Sequence, residues 1–221
     1  MFGHVHQRFC AVLALCFAFS APVFAATVTV LPDAPAGGAA VKLSVDDFER
    51  VGNCGGGASV VNDGCSVVMK DNPKASHAYG RFDPLGVEWI DSQDINELKW
   101  TVNSSTAFTS MAFALTDAHD QKDSHFRLSF NDDGNWSQIW EIGSREKNGG
   151  LHWLLVEFDA PVTAAELLFS TKATADYDGF GISAVSLFEN PAPVPVPAAL
   201  PLLVGGIGAL AVFRKRRQKR A

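Results

Sequence analysis

The sequence predicts an all-β protein, an antiparallel β-sandwich of jelly-roll kind, between residues 26 and 190. Apolar and polar residues alternate in short runs, as in strands with one buried face. Gly, Asn and Asp clusters interrupt these runs at intervals of about ten to fifteen residues, where they favour turns. No long segment of this region has helical periodicity. These three observations together favour two packed antiparallel sheets.

Nine runs in this region have strand character. In chain order they are 41–48, 66–70, 97–103, 108–116, 125–130, 137–142, 152–158, 166–171 and 181–188. We expect one further short strand around Trp89, inside a long loop between residues 71 and 94. The region is long enough for a single domain that folds around its own core.

The first 25 residues predict a secretory signal peptide. Arg8 precedes an apolar run at 9–19, which is followed by the small-residue pattern Val23-Phe24-Ala25. Eleven helical residues rise about 16 Å, roughly half of the apolar thickness of a bilayer, so the run is too short for a permanent span. We therefore expect export across the inner membrane, with cleavage between Ala25 and Ala26.

The region from 26 to 190 is strongly acidic. It holds all 24 Asp and Glu residues but only 11 of the 18 Lys and Arg residues, which gives a net charge of −13 against −6 for the whole chain. Such a surface repels phosphate backbones, so we expect no nucleic-acid partner. It suits a solvated surface or divalent cations.

Two cysteines follow the predicted signal peptide, Cys54 and Cys65. In an exported chain this pair favours one disulfide, which would close a short loop and contribute about 3 kcal/mol in the chain-entropy model. A metal site is the alternative, but no histidine lies within ten residues of either cysteine.

Enzyme signatures are absent from the sequence. It contains no GxSxG, HExxH, CxxC or GxxxxGK[ST] pattern. We therefore expect a non-catalytic protein with no cofactor.

One segment carries mixed histidine and carboxylate side chains, the ligand types that transition metals accept. Its members are Asp117, His119, Asp120, Asp123 and His125. The segment separates two predicted strands, where polar turn residues are expected whatever the function, and its spacing matches no metal motif. Two Asp-rich turns, 131–135 and 176–179, offer oxygen ligands for calcium, although neither fits the EF-hand loop pattern.

Five tryptophans occur in the acidic region: Trp89, Trp100, Trp136, Trp140 and Trp153. Trp136 and Trp140 are four positions apart, which predicts that they project from the same face of one strand. Such a pair would stack on sugar rings and make the domain a carbohydrate-binding module. A sandwich core is the commoner place for tryptophan.

The end of the chain predicts a membrane tether. Sixteen uncharged residues, 198–213, span about 24 Å as a helix. The prolines before Pro201 disfavour an earlier helix start. A basic block follows, whose side chains reach the headgroups and stay cytoplasmic. This block consists of Arg214, Lys215, Arg216, Arg217, Lys219 and Arg220.

A short motif precedes this apolar segment: Val194, Pro195, Val196, Pro197 and Ala198. The order of motif, apolar helix with glycines and terminal arginine cluster resembles the PEP-CTERM group of bacterial sorting signals, and more closely its VPLPA-CTERM variant. Val196 stands where the variant usually has leucine. The resemblance covers only residues 191–221 or so. It implies that an exosortase-type membrane enzyme of Gram-negative bacteria processes the tail and passes the protein to the cell surface or an exopolysaccharide matrix.

Three functions follow as hypotheses for a chain divided into a signal peptide (1–25), a sandwich ectodomain (26–190) and a sorting tail (191–221). The first is a non-catalytic surface or matrix protein. The second is a carbohydrate-binding module, which an exposed, coplanar Trp136 and Trp140 would favour. The third is a metal-dependent hydrolase, which convergence of His119, His125 and two carboxylates on one point would favour.

Overall fold

The structure is a computed structural model that describes residues 25–53, 66–71, 80–86, 88–119, 125–172 and 179–190. Within these ranges the chain forms ten β-strands, one 3₁₀ turn at Val45–Asp47 and no α-helix. The strands are β1 Ala26–Leu31, β2 Ala39–Ala40, β3 Phe48–Arg50, β4 Val68–Lys70, β5 Trp89–Asp91, β6 Glu97–Thr116, β7 His125–Asp132, β8 Asn135–Ile142, β9 Leu151–Lys172 and β10 Gly181–Phe188.

Several predicted features lie outside the described residues. These are the signal peptide before Ala25, Cys54 and Cys65, and the whole tail from residue 191. Within the described ranges, no helix has the length and apolar character that a membrane crossing requires.

All strand pairs are antiparallel, which confirms the predicted all-β antiparallel class. β6 and β9 pair with each other along most of their length and are interrupted by register shifts between Asn103 and Ser110. Thirteen residues of straight strand would separate Trp100 from Phe113 by roughly 43 Å. Their ring centroids instead lie 5.4 Å apart, edge to face. The long strand pair therefore folds back on itself and gives two facing layers.

The pairing gives the order of the strands in each layer. The first layer runs β1, the first half of β9, the second half of β6, β10, β5 and β4, with β2 also beside β10. The second layer runs β3, the first half of β6, the second half of β9, β7 and β8. The structure joins two pairs of predicted strands. β6 contains both 97–103 and 108–116, and β9 contains both 152–158 and 166–171. In each case the strand bends at an irregularity in the β6–β9 ladder, where we expected the strand to end.

Aromatic rings fill the space between the layers. Phe169 is fully buried, and its ring lies within 5.3 to 6.3 Å of four other rings. Those four belong to Trp100, Phe113, Phe126 and Phe180. Offset and edge-to-face contacts of this kind add to the burial of apolar surface. Phe169 is therefore at the centre of the core.

The predicted strand 41–48 is wrong except at its last residue, Phe48, and residues 41–44 lie outside any strand. Residues 45–47 form the 3₁₀ turn because Ser44 accepts a hydrogen bond from the backbone N–H of Asp46, while the Asp47 carboxylate accepts one from the N–H of Ser44. This reciprocal cap satisfies the first donors of the turn locally. A strand begins only at Phe48.

β10 contains a bulge that shapes its edge. Its register against β6 shifts between Ser183 and Ser186, and Ala184 adopts φ +53°. For an L-residue this left-handed conformation costs roughly 1–2 kcal/mol. On the other edge of β10, β5 pairs as far as Ser183 and β2 pairs from Ser186, so the bulge separates the two neighbours.

Candidate functional site

The outward side of the second layer is a polar surface, which we call the polar face. It follows from strand alternation, since Phe126, Leu128 and Phe130 of β7 point into the core and the residues between them point outward. The polar face includes Glu49, Lys99, Arg127, Ser129, Asn131, Trp136, Gln138, Glu141 and Glu166, and the half-buried Leu168 lies among them, opposite both Lys99 and Ser129. The alternate positions of β7 are buried, whereas β8 is exposed from Asn135 to Gln138 at the edge of the layer.

Hydrogen bonds order one half of the polar face. Arg127 Nε donates to Glu141 Oε2 over 3.1 Å, and Gln138 Nε2 donates to the same oxygen over 2.8 Å. The Gln138 hydrogen bond, followed by that of Arg127, holds the pKa of Glu141 below its ordinary value. The carboxylate is therefore an ionised acceptor with two fixed donors.

The side chains in the other half of the polar face are ordered around Glu166. Asn131 Nδ2 donates to Glu166 Oε2, and Lys99 Nζ lies 4.0 Å from Glu166 Oε1 while it binds Glu49 directly. The hydrogen bond to Glu49 raises the pKa of Lys99. Donors and acceptors thus alternate across four strands, an arrangement that suits a ligand rich in hydroxyl groups.

The prediction that Trp136 and Trp140 share a face is wrong. The β7–β8 register shifts between Leu128 and Ser129, so that Ile139 is an extra residue in β8. A one-residue bulge reverses the side chains that follow it. Trp136 lies opposite Asn131 on the polar face, whereas Trp140 lies opposite Leu128 on the core side.

The exposed fractions of the tryptophan side chains agree with this assignment of Trp136 to the polar face and Trp140 to the core side. Trp136 is 40% exposed, whereas Trp89, Trp100 and Trp153 are buried. Trp140 is half-buried and makes edge contacts with the rings of Phe126 at 6.4 Å and His152 at 5.4 Å. Among the described residues, the polar face therefore offers one indole ring to solvent instead of a pair.

Three members of the predicted histidine and carboxylate cluster, Asp117, His119 and His125, lie within the described residues. Asp120 and Asp123 lie outside the described residues. Asp117 Oδ1 accepts a hydrogen bond from the N–H of Gly149 over 2.8 Å, and burial lowers the pKa of His119. Nearby Glu146 opposes that shift, while His125 adds to it. In the described ranges no three His, Cys, Asp or Glu side chains have the arrangement of a metal site.

The turn at 131–135 has a structural explanation. Asp133 and Gly134 are the two loop residues between β7 and β8, with φ +48° and +90°. Asp-Gly in this position is typical of a tight hairpin turn of type I′. The side-chain oxygen of Asn131 accepts from the N–H of Gly134. The other predicted calcium turn, 176–179, lies outside the described residues except for Gly179.

A buried ion cluster that the sequence did not predict lies at one end of the layers. Arg81 Nη1 binds Asp91 at 2.9 Å, Nη2 binds Asp94 at 3.4 Å, and Nε lies 3.8 Å from Asp117 Oδ2. Beside it, both the N–H and the carbonyl of Phe82 bond to the Thr116 hydroxyl. These contacts fasten residues 80–83 onto the ends of β5 and β6.

The predicted cleavage point lies at the first described strand. The carbonyl of Ala25 accepts from the N–H of Asp159, and Ala26 pairs with Phe158 as the first residue of β1. Ala26 is buried and Ala25 is exposed.

Comparison with known proteins finds similarity only among solved structures. No protein-family model matches the chain, and no curated protein sequence matches it. The carbohydrate-binding module TmCBM61, solved with β-1,4-galactotriose, is 15% identical with a TM-score of 0.38; the match covers 58% of this chain and 85% of that one. A family 43 glycoside hydrolase from Bacillus subtilis, an arabinoxylan arabinofuranohydrolase solved with cellotetraose, is 10% identical with a TM-score of 0.34. That match covers 57% of this chain and a quarter (25%) of the hydrolase.

Proposed function

We propose that the chain is an exported, non-catalytic surface or extracellular-matrix protein with a jelly-roll-like domain and an exosortase-type sorting tail. The order of motif (Val194 to Ala198), apolar segment and basic block supports the tail's role. The structural observation that carries the proposal is the position of β10, the last strand before that tail. β10 ends at Phe188, only two residues before the proline-rich segment begins.

β10 is well placed to hold a tether. It pairs along one edge with β6 and along the other with β5 and β2. A pull on its end is therefore shared by hydrogen bonds on both sides, whereas an edge strand would peel from one side. A domain that is held by its C-terminus at a membrane or in a matrix needs such an attachment.

Export and anchoring are two stages in this proposal. The signal peptide is removed between Ala25 and Ala26, Cys54 and Cys65 form a disulfide outside the cytoplasm, and the tail holds the domain at the membrane with the basic block inside. An exosortase-type enzyme then acts near the motif and transfers the domain to the cell surface or an exopolysaccharide.

The sorting motif can be tested by a double substitution in the native host. Pro195→Ala with Pro197→Ala is expected to leave the protein in the membrane fraction, because the processing enzyme no longer recognises the motif. Pro191→Ala with Pro193→Ala is the matched control, since it removes two prolines outside the motif, and it is expected to fractionate as the wild type does. Equal release of both variants would contradict a motif-dependent address.

A second candidate function is the binding of a neutral polysaccharide by the polar face. The observation that favours it is the exposed Trp136 ring beside fixed amide and carboxylate groups of Asn131, Gln138 and Glu141. An indole buries the apolar face of a sugar ring, and side-chain amides and carboxylates bond its hydroxyls. The interaction would give a matrix protein direct contact with its surroundings.

This second function predicts a strong effect of Trp136→Ala. Affinity for the host's exopolysaccharide in gel electrophoresis is expected to fall about tenfold or more, as loss of roughly 1.5 kcal/mol of apolar burial implies. Trp140→Phe, on the core side of the same strand, is expected to leave affinity unchanged. Equal losses in both variants, or no binding by the wild type, would overturn the assignment of the polar face.

A further inference from the structure

A cavity of about 680 Å³ lies beside the bulge of β10, away from the polar face. Its size is within the range of small-ligand sites, roughly 300–1,000 Å³. Six of its described lining residues are aliphatic: Ala40, Val41, Leu43, Leu85, Ala184 and Val185. Three are charged: Lys42, Asp71 and Glu88.

The backbone of β10 creates this cavity. β5 leaves β10 at Ser183, β2 begins at Ser186, and the left-handed Ala184 lies between them on the cavity wall. The N–H of Val41 bonds to the carbonyl of Val185 over 3.0 Å, which fixes the chain on the far side of the gap. Strained backbone of this kind persists where the surrounding structure holds it in place. The cavity thus depends on the bulge of β10 and on where β5 and β2 end beside it.

The wall of the cavity leaves apolar surface in contact with water. Leu85 is 59% exposed, the largest exposed fraction among the large hydrophobic side chains of the described residues. Val185 and Leu43, which are both buried, line the same cavity. An aliphatic group that packs against these side chains would exclude water from their apolar surfaces and from its own.

The charged residues that line the cavity carry an excess of negative charge. Lys42, Asp71 and Glu88 are all exposed, and in the part of the chain that the structure describes no hydrogen bond or ion pair engages them. Two carboxylates against one ammonium give a local net charge of −1 in a domain whose own net charge is −13. Both the local and the overall field therefore favour a cation.

We propose that this cavity binds a small amphipathic cation, a primary ammonium group on an aliphatic stem. The ammonium lies toward Asp71 and Glu88, and the stem packs against Leu85 and Val185. The described lining contains no aromatic ring on which a sugar would stack, and its net charge disfavours phosphates and carboxylates. This site is independent of the sorting tail and of saccharide binding by the polar face.

The test uses butylamine, which is an ammonium ion at pH 7, against the full chain in nanodiscs, with ligand-observed NMR and empty nanodiscs as the blank. Butanol and butyrate are the matched probes, since they share the stem but not the charge. Butylammonium is expected to bind at least tenfold more tightly than butanol, and butyrate is expected not to bind. Salt is expected to weaken the binding of butylammonium, because it screens exposed charges. Equal binding of butylammonium and butanol would overturn the proposal.

Variants distinguish the effect of the carboxylates at the cavity from that of the negative charge of the whole domain. Asp71→Asn with Glu88→Gln is expected to weaken butylammonium binding tenfold or more, whereas Lys42→Met is expected to tighten it several-fold. The charge-matched control is Glu157→Gln with Asp159→Asn on β9, which is expected to change affinity less than twofold. All of these side chains are at least partly exposed, so folding is retained. Weaker binding in Lys42→Met, or an equal loss in the β9 control, would contradict a cation site.

Discussion

Replacing Arg81 with methionine is expected to lower the free energy of unfolding by about 3–5 kcal/mol, because it leaves three carboxylates without their buried cation. Arg81 lies within 3.8 Å of Asp91, Asp94 and Asp117, and its side chain is 6% exposed. Urea denaturation of the wild type and the variant measures the difference directly.

The matched control for this prediction is Arg127→Met. Arg127 also binds a carboxylate, that of Glu141 at 3.1 Å, but its side chain is 43% exposed. Exposed pairs contribute about 1 kcal/mol or less. Adding Asp91→Asn and Asp117→Asn to Arg81→Met is expected to restore part of the lost stability, since it removes unpaired charge. If the two arginine variants were equally stable, the cluster would not hold residues 80–83 in place.

Replacing Phe169 with alanine is expected to lower the free energy of unfolding by about 3–5 kcal/mol. Its ring contacts four others between the layers, so truncation leaves a cavity that rigid neighbouring strands do not close. Phe169→Leu keeps most of the volume and is expected to cost about 1.5 kcal/mol or less. Thermal and urea unfolding of both variants test the difference.

The neighbouring position provides the control for Phe169. Leu168 is on the same strand but points outward and is half-buried. Leu168→Ala is expected to cost about 1 kcal/mol, because less apolar surface returns to water. A larger loss at Leu168 than at Phe169 would contradict the assignment of inner and outer faces in the second layer.

The fold class and most strand positions were predictable because alternation of apolar and polar residues reports directly on a half-buried sheet. The Asp133-Gly134 turn was predictable for the same local reason, since its residues accept positive φ. β1 was missed although its Thr-Val alternation is a strand signal. The continuity of β6 and β9 was not predictable, because polar residues at a bend look the same in sequence as those at a turn.

The site was harder to predict because its geometry depends on register and on distant contacts. A single bulge at Ile139 placed Trp136 and Trp140 on opposite faces, and the spacing of the two tryptophans contains no sign of it. Arg81 meets partners 10 to 36 positions further along the chain, so no local pattern identifies the cluster. The cavity beside β10 likewise depends on where β5 and β2 end.

The central claim is that the tail is an address that is processed after export, and mass spectrometry of the mature protein from its native host tests it most directly. We expect an N-terminus at Ala26, a linked Cys54–Cys65 peptide under non-reducing conditions, and a C-terminus near Pro197. A surface-located protein that still ends at Ala221 would contradict the sorting proposal and leave a plain single-pass anchor.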